Sequence, residues 1–298
     1  MFRSLAWAGV MAVMLCIGYS RAQAQHDKEF WRTVARQHAT VPDHESPDAL
    51  AHELSGMLAS PEPELRDDLA YSILATWIYQ GNILSSSTLL SLTDEWRANL
   101  KSGIGEVGTN SVLKRSFSAL CLSEIAKRES KVPFLDADRY HKLVAEAITY
   151  LQSERDLRGY DLKLHWIHAA AHTADLLAAL ADSPQLTQEE ASGILQAIRA
   201  RLSTATEVFT QGEQDRLAVA VVSVIRRKDF DQADFDLWLT KLQEEDRDVW
   251  TSTTLESLAR YQNHNYLLQA LTVRMLLERE SPRMNSYRQS VLNVLAKR

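Results

Sequence analysis

Apolar residues recur through most of this chain at spacings of three and four, the pattern of helices that bury one face. Between residues 63 and 80, Leu65, Leu69, Ile73 and Trp77 stand four apart on one stripe, and Gly81 stops the run. Ser46-Pro47 is an N-cap followed by proline at the first helical position. The same reading predicts helices over 87–101, 111–130, 136–154 and 164–181. Pro184 closes the last of these, and Thr187-Gln188-Glu189-Glu190 opens the next with a capping box. Helices over 213–227, 231–245, 251–261, 266–280 and 286–296 complete the pattern.

The predicted helices pair. Four of them start near residues 63, 111, 164 and 213, so the intervals are 48, 53 and 49 residues. Each is the second member of a hairpin whose first member starts near 46, 87, 136 or 187. Three second helices open alike, with Leu65-Arg66-Asp67-Asp68-Leu69-Ala70, Leu113-Lys114-Arg115-Ser116-Phe117-Ser118 and Gln214-Asp215-Arg216-Leu217-Ala218. Helical units at such a period predict an all-α fold of stacked hairpins, a HEAT- or armadillo-like αα superhelix, with a closed αα toroid as the alternative. One repeat domain over 25–298 is expected. In such a stack the loops entering the second helices gather at one edge, and here those loops are rich. Four of the eight glycines after residue 24 fall between 103 and 159. Long loops on one face of a repeat array are often its binding face.

Composition narrows the class. Gly 10 and Pro 7 make 17 of 298 residues, about half the usual share, too few for the hairpins of an all-β sandwich or barrel. The first residues read as an export signal: Arg3, an apolar run from 5 to 18, then Ala22-Gln23-Ala24 as an A-x-A site. Cleavage after Ala24 and a periplasmic or secreted location are expected, with no stable membrane insertion afterwards. Without Arg3 and Arg21 the chain carries 31 basic and 39 acidic side chains, a formal −8. That balance, without a long Lys/Arg cluster, is a poor match to nucleic acid or anionic lipid. Cys16 leaves with the signal, so Cys121, set between Leu120 and Leu122, is expected as a buried, inert thiol.

Candidate chemistry centres on His165-Trp166-Ile167-His168-Ala169-Ala170-Ala171-His172-Thr173-Ala174-Asp175. On a helix at 100° per residue with His168 at zero, His172 falls at about +40°, Asp175 at about −20° and His165 at about +60°. Trp166 falls on the opposite side, at about 160°. His168 and His172, at i and i+4, can share a divalent metal, although the internal Glu of a zinc-protease motif is absent. Asp175 lies two turns on, about 10.5 Å from His168, so a third ligand has to come from Glu106, Glu154 or Asp156. The other readings are a His/Asp hydrogen-bond network and a plain solvated stripe. Glu154-Arg155-Asp156-Leu157-Arg158 offers paired carboxylates for acid–base chemistry, against the plainer reading of a charged helix end. Gly103-Ile104-Gly105-Glu106 lacks the spacing and lysine of a phosphate loop; it reads as a turn with unusual backbone angles and Glu106 aimed inward. Arg66 and Arg115, at matching helix positions, are expected to bond between repeats. Ser116 and Ser118 fall inside a helix, a poor place for a nucleophile. No motif calls for a cofactor other than the metal option.

At these motifs the chain resembles a bacterial family known as domain of unknown function 2785. The stretches that carry the resemblance are Phe30-Trp31, residues 65–71, Trp77-Ile78, Gly103-Ile104-Gly105-Glu106, residues 115–118, residues 154–160, Trp166, His168, residues 172–175 and Glu213, spread over about 30 to 245. The resemblance implies no activity. His165 stands where the family pattern is expected to carry Gly, which makes it the weakest site member.

Two functions follow. The first is an exported, non-catalytic repeat protein that binds a protein partner or small molecule at the loop-rich edge, with Arg115, Glu154, Arg158 and Glu213 as ligand contacts. The second is a hydrolase-like enzyme built from Glu106, Asp156, His168, His172 and Asp175, which requires those side chains to meet in one concave pocket.

Overall fold

The computed structural model describes residues 26–79 and 83–298. The export segment 1–24 with its cleavage site, and the helix stop at Gly81, lie outside the described residues. Helices α1 (Lys28–Arg36) and α2 (Pro47–Met57) lead into a π-helical stretch, Glu64–Tyr71, that continues directly as α3 (Ser72–Tyr79). There follow α4 (Ser86–Asn99), α5 (Ser111–Lys131) and α6 (Ala137–Ser153), then two short antiparallel strands, β1 (Tyr160–Asp161) and β2 (His165–Trp166). The chain ends with α7 (Ala169–Ala181), α8 (Gln188–Ser203), α9 (Glu213–Arg226), α10 (Gln232–Glu245), α11 (Leu255–Leu277) and α12 (Pro282–Leu295).

The helices form two layers. The second members of the hairpins pack in sequence, α3 on α5, α5 on α7, α7 on α9 and α9 on α11. The first members do the same on the other side, α2 on α4, α6 on α8, α8 on α10 and α10 on α12. An all-α fold of packed hairpins is therefore what the periodicity builds. One apolar core runs between the layers, from Trp31 to Val294. Its tryptophans also satisfy their N–H groups across neighbouring units: Trp96 Nε1 donates to Ser55 Oγ at 2.8 Å and Trp238 Nε1 to the Leu195 carbonyl at 2.7 Å. Buried indoles so paired lose little on leaving water. Cys121 is fully buried in this core and its thiol is pushed up by burial. Among the described residues no helix is long and apolar enough to cross a membrane.

Three boundaries differ from the sequence reading. Residues 251–280 hold one long helix, α11, where two were expected. No Gly or Pro interrupts 255–277, and Asn263 spends its side chain on the Phe209 N–H and the Glu207 carbonyl rather than on its own backbone. Helix α1 was not anticipated. The third difference matters most: α7 begins at Ala169, so 164–168 is not helical. The turn between β1 and β2 contains no glycine. Asp161 makes it instead, its carboxylate accepting the N–H groups of Lys163 and Leu164 at 2.7 and 2.8 Å.

Candidate functional site

The loop entering α5 is clamped to the segment leaving α6. Arg115 meets Glu154 through two parallel bonds, Nε to Oε2 at 2.6 Å and Nη2 to Oε1 at 3.1 Å, both side chains buried. Its Nη1 donates to the carbonyls of Ser102 and Gly103 and to Ser111 Oγ. Gly103, Gly105 and Gly108 all take positive φ, the unusual backbone expected of this turn. Glu106 does not point inward. It is exposed, and it accepts from Thr109 Oγ1 at 2.8 Å and Ser111 Oγ at 2.7 Å. Asp156 is buried, accepting the Gly108 N–H at 3.0 Å and the Arg158 guanidinium at 2.6 Å, and Arg158 also reaches the Thr109 carbonyl. Arg158→Ala should cost about 1.5–3 kcal/mol, the range for hydrogen bonds to charged groups, because Arg158 is only 29% exposed and its partner not at all. Urea denaturation checks this; a change within the about 0–1 kcal/mol of an exposed pair would contradict it.

Beyond Arg158 the contacts run on without a gap. The His168 N–H donates to the carbonyls of Arg158 and Gly159. Gly159 lies so close to α9 that a Cβ there would stand 2.3 Å from Glu213 Oε1, which is why the position takes glycine. His168 Nε2 donates to the Gln211 carbonyl at 2.9 Å and lies 3.4 Å from Glu213 Oε1. Both His165 and His168 have left-handed backbones, φ 55 and 49; between them they set Trp166, whose ring stacks on His168 at 4.7 Å. His168 meets His172 edge-on at 5.9 Å, and His172 Nδ1 lies 2.8 Å from Ser116 Oγ. These rings wall a cavity of about 540 Å³ between the π-helical stretch, α5, α7 and α9, also lined by Asp67, Tyr71, Lys127, Asp175 and Arg216.

Burial governs the electrostatics of that cavity. It holds His172 well below the usual imidazole range, with the neighbouring His168 and Arg216 adding to the effect. It raises Asp67 against the opposing pull of Arg66, and raises Asp175 against that of Arg216. Tyr71 is pushed up by burial and by Glu124, which accepts its hydroxyl at 3.2 Å. In Glu213 burial opposes the charge, but the His168 and Gln211 hydrogen bonds outweigh it and the carboxyl is lowered.

The family described as "Protein of unknown function (DUF2785)" matches residues 100–273, more than half of the chain. The chain belongs to this family. No curated protein and no solved structure matches it significantly. The DUF2785 match begins later than the resemblance suggested, leaving Phe30-Trp31, residues 65–71 and Trp77-Ile78 ahead of it, and continues past 245 into α11.

In this DUF2785 member the expected site residues divide into two groups. His168, His172 and Asp175 share the cavity. Glu106, Asp156, Arg115, Glu154 and Arg158 belong to the loop clamp, and Glu213 lies behind His168. The five-residue pocket required for the hydrolase reading is therefore not assembled, since Glu106 and Asp156 do not line the cavity. The solvated-stripe reading also falls, because His168 and His172 are buried. Each histidine commits one ring nitrogen, to Gln211 and to Ser116, and among the described residues no group of three or more His, Cys, Asp or Glu side chains is placed to hold a metal. Sequence reasoning passed over Asp67, Tyr71, Lys127, Trp166 and Arg216. Asp67 and Arg216 stood in the recurrent helix openings, a signal read only as repeat architecture. Trp166 was set opposite His168 by a helical wheel that does not apply there.

Proposed function

We propose that this protein is a binding protein, a HEAT- or armadillo-like stack of hairpins that holds a small molecule in the cavity between the π-helical stretch, α5, α7 and α9. The cavity itself carries the reading: its volume lies within the about 300–1,000 Å³ of small-ligand sites, with a few polar groups converging on aromatic walls. Strained backbone supports it. A π-helical stretch brings Asp67 and Tyr71 to one side, and two left-handed residues bracket Trp166 on the other; folds keep such features mostly near functional sites. The loop clamp serves as the frame.

A small-molecule panel read by thermal denaturation tests this. A ligand at 100 times its Kd should stabilise the protein by about 2.7 kcal/mol. Asp215→Trp, which fills the cavity rim from an exposed position, should abolish the shift. A shift that persists in that variant, or turnover of a panel compound, contradicts the reading. We further propose export with release after Ala24. Protein recovered from the envelope fraction of an expressing bacterium should then begin at Gln25, and recovery of the chain from Met1 alone contradicts export.

A further inference from the structure

We propose that the ligand of this cavity is a neutral, hydroxyl-bearing ring, a saccharide, and that Ser116 positions His172 to accept a hydrogen bond from one of its hydroxyls. The proposal rests on the binding role given to the cavity above.

Hydrogen-bond valence assigns the histidine. Ser116 Oγ carries one proton, and its closest polar contact is the Ile167 carbonyl, which only accepts. The hydroxyl therefore points at Ile167. Ser116 Oγ must then accept from His172 Nδ1, 2.8 Å away, so Nδ1 bears the ring proton. Burial keeps the ring neutral, helped by the nearby Arg216 guanidinium, which leaves Nε2 as a lone pair. His172 is 93% buried yet lines the cavity, and among the described residues Nε2 has no partner. A lone pair at the cavity wall without a protein partner is free to accept from a ligand that donates to it.

The rest of the wall selects the chemistry of that donor. Each charged side chain on it already has a counter-ion. Asp67 lies 2.7 Å from Arg66, Lys127 lies 2.8 Å from Glu124, Asp215 lies 3.3 Å from Arg274, and Asp175 is paired with Arg216. An anionic or ammonium ligand would have to displace one of these partners. What stays open is acceptors: His172 Nε2, the second oxygen of Asp175, and Asp67 Oδ2, since Oδ1 is buried against Arg66. Hydroxyls supply donors without bringing charge. Trp166 completes the match, since one face of its indole lies on His168 while the side chain remains 44% exposed. A flat apolar face beside a cluster of acceptors suits a sugar ring, whose C–H face is apolar and whose rim is hydroxyl.

Nuclear magnetic resonance on the full chain with ¹⁵N-labelled histidine reads both parts. His172 should show a protonated Nδ1 and an unprotonated Nε2, and added neutral mono- and disaccharides should shift Nε2. Ser116→Ala should mix the two tautomers and weaken saccharide binding about tenfold, with Ser116→Thr restoring both. A protonated Nε2 in the unmodified protein overturns the positioning role. If amines or carboxylates move Nε2 and saccharides at millimolar concentration do not, the ligand class is wrong and the cavity reading stands. If saccharides bind Asp215→Trp as well as the unmodified protein and leave His172 unmoved, the cavity reading itself fails. Silence from every saccharide overturns the class.

Discussion

Replacing Arg115 by alanine should destabilise the protein by about 3–5 kcal/mol, the cost of breaking a buried ion pair from one side. Neither Arg115 nor Glu154 reaches water to any extent, and two parallel bonds join them. Without the guanidinium, Glu154 keeps only the backbone N–H groups of Arg155 and Asp156. The Ser102 carbonyl loses its guanidinium donor at the same time, and the Gly103 carbonyl keeps only the Glu106 N–H. Arg115→Lys should recover little, because one ammonium cannot span a carboxylate and two carbonyls at once. Urea denaturation of Arg115→Ala, Glu154→Gln and the double variant measures the coupling. The double variant should lose clearly less than the sum of the singles. Strict additivity would contradict the clamp.

Arg66→Ala should also cost about 3–5 kcal/mol, and its effect should reach the cavity. This fully buried side chain donates to the Ser60 carbonyl and, from the same guanidinium, to the carbonyls of Leu164 and Trp166 nearly a hundred residues on. It also lies over the Phe117 ring at 4.7 Å and faces Asp67. Its loss takes the guanidinium from the Leu164 and Trp166 carbonyls and leaves Asp67 without its counter-ion. Hydrogen exchange should accelerate over residues 160–168 well beyond the change elsewhere, and ligand binding in the cavity should fall with it. Unchanged protection of that hairpin would show that Arg66 does not hold it.

The helices were legible because their signals are local. Caps at Ser46, Asp136, Thr187 and Asp231 act within one turn, and apolar stripes report burial directly. The loop clamp was half legible. Its residues stood out as charged groups beside glycines, but the pairing of Arg115 with Glu154 joins residues 39 apart, and no local spacing encodes that. The cavity was the least legible part. Its geometry depends on a turn that Asp161 builds without glycine, and on His168 adopting a left-handed backbone that only tertiary contacts enforce. Counting 164–168 as helix sent Trp166 to the wrong side and put His165 among the site candidates. Asp67 was hidden differently, because the stripe of Leu65, Leu69, Ile73 and Trp77 reads as an ordinary α-helix and does not reveal the π-helical winding at Glu64–Tyr71.

The most direct test of the cavity as the binding site is a crystal structure of the protein with the strongest binder from the panel. The account predicts ligand density between the π-helical stretch, α5, α7 and α9, within hydrogen-bonding distance of His172 Nε2 and against the free face of Trp166. Density for that binder elsewhere on the molecule, with this cavity empty, would contradict it.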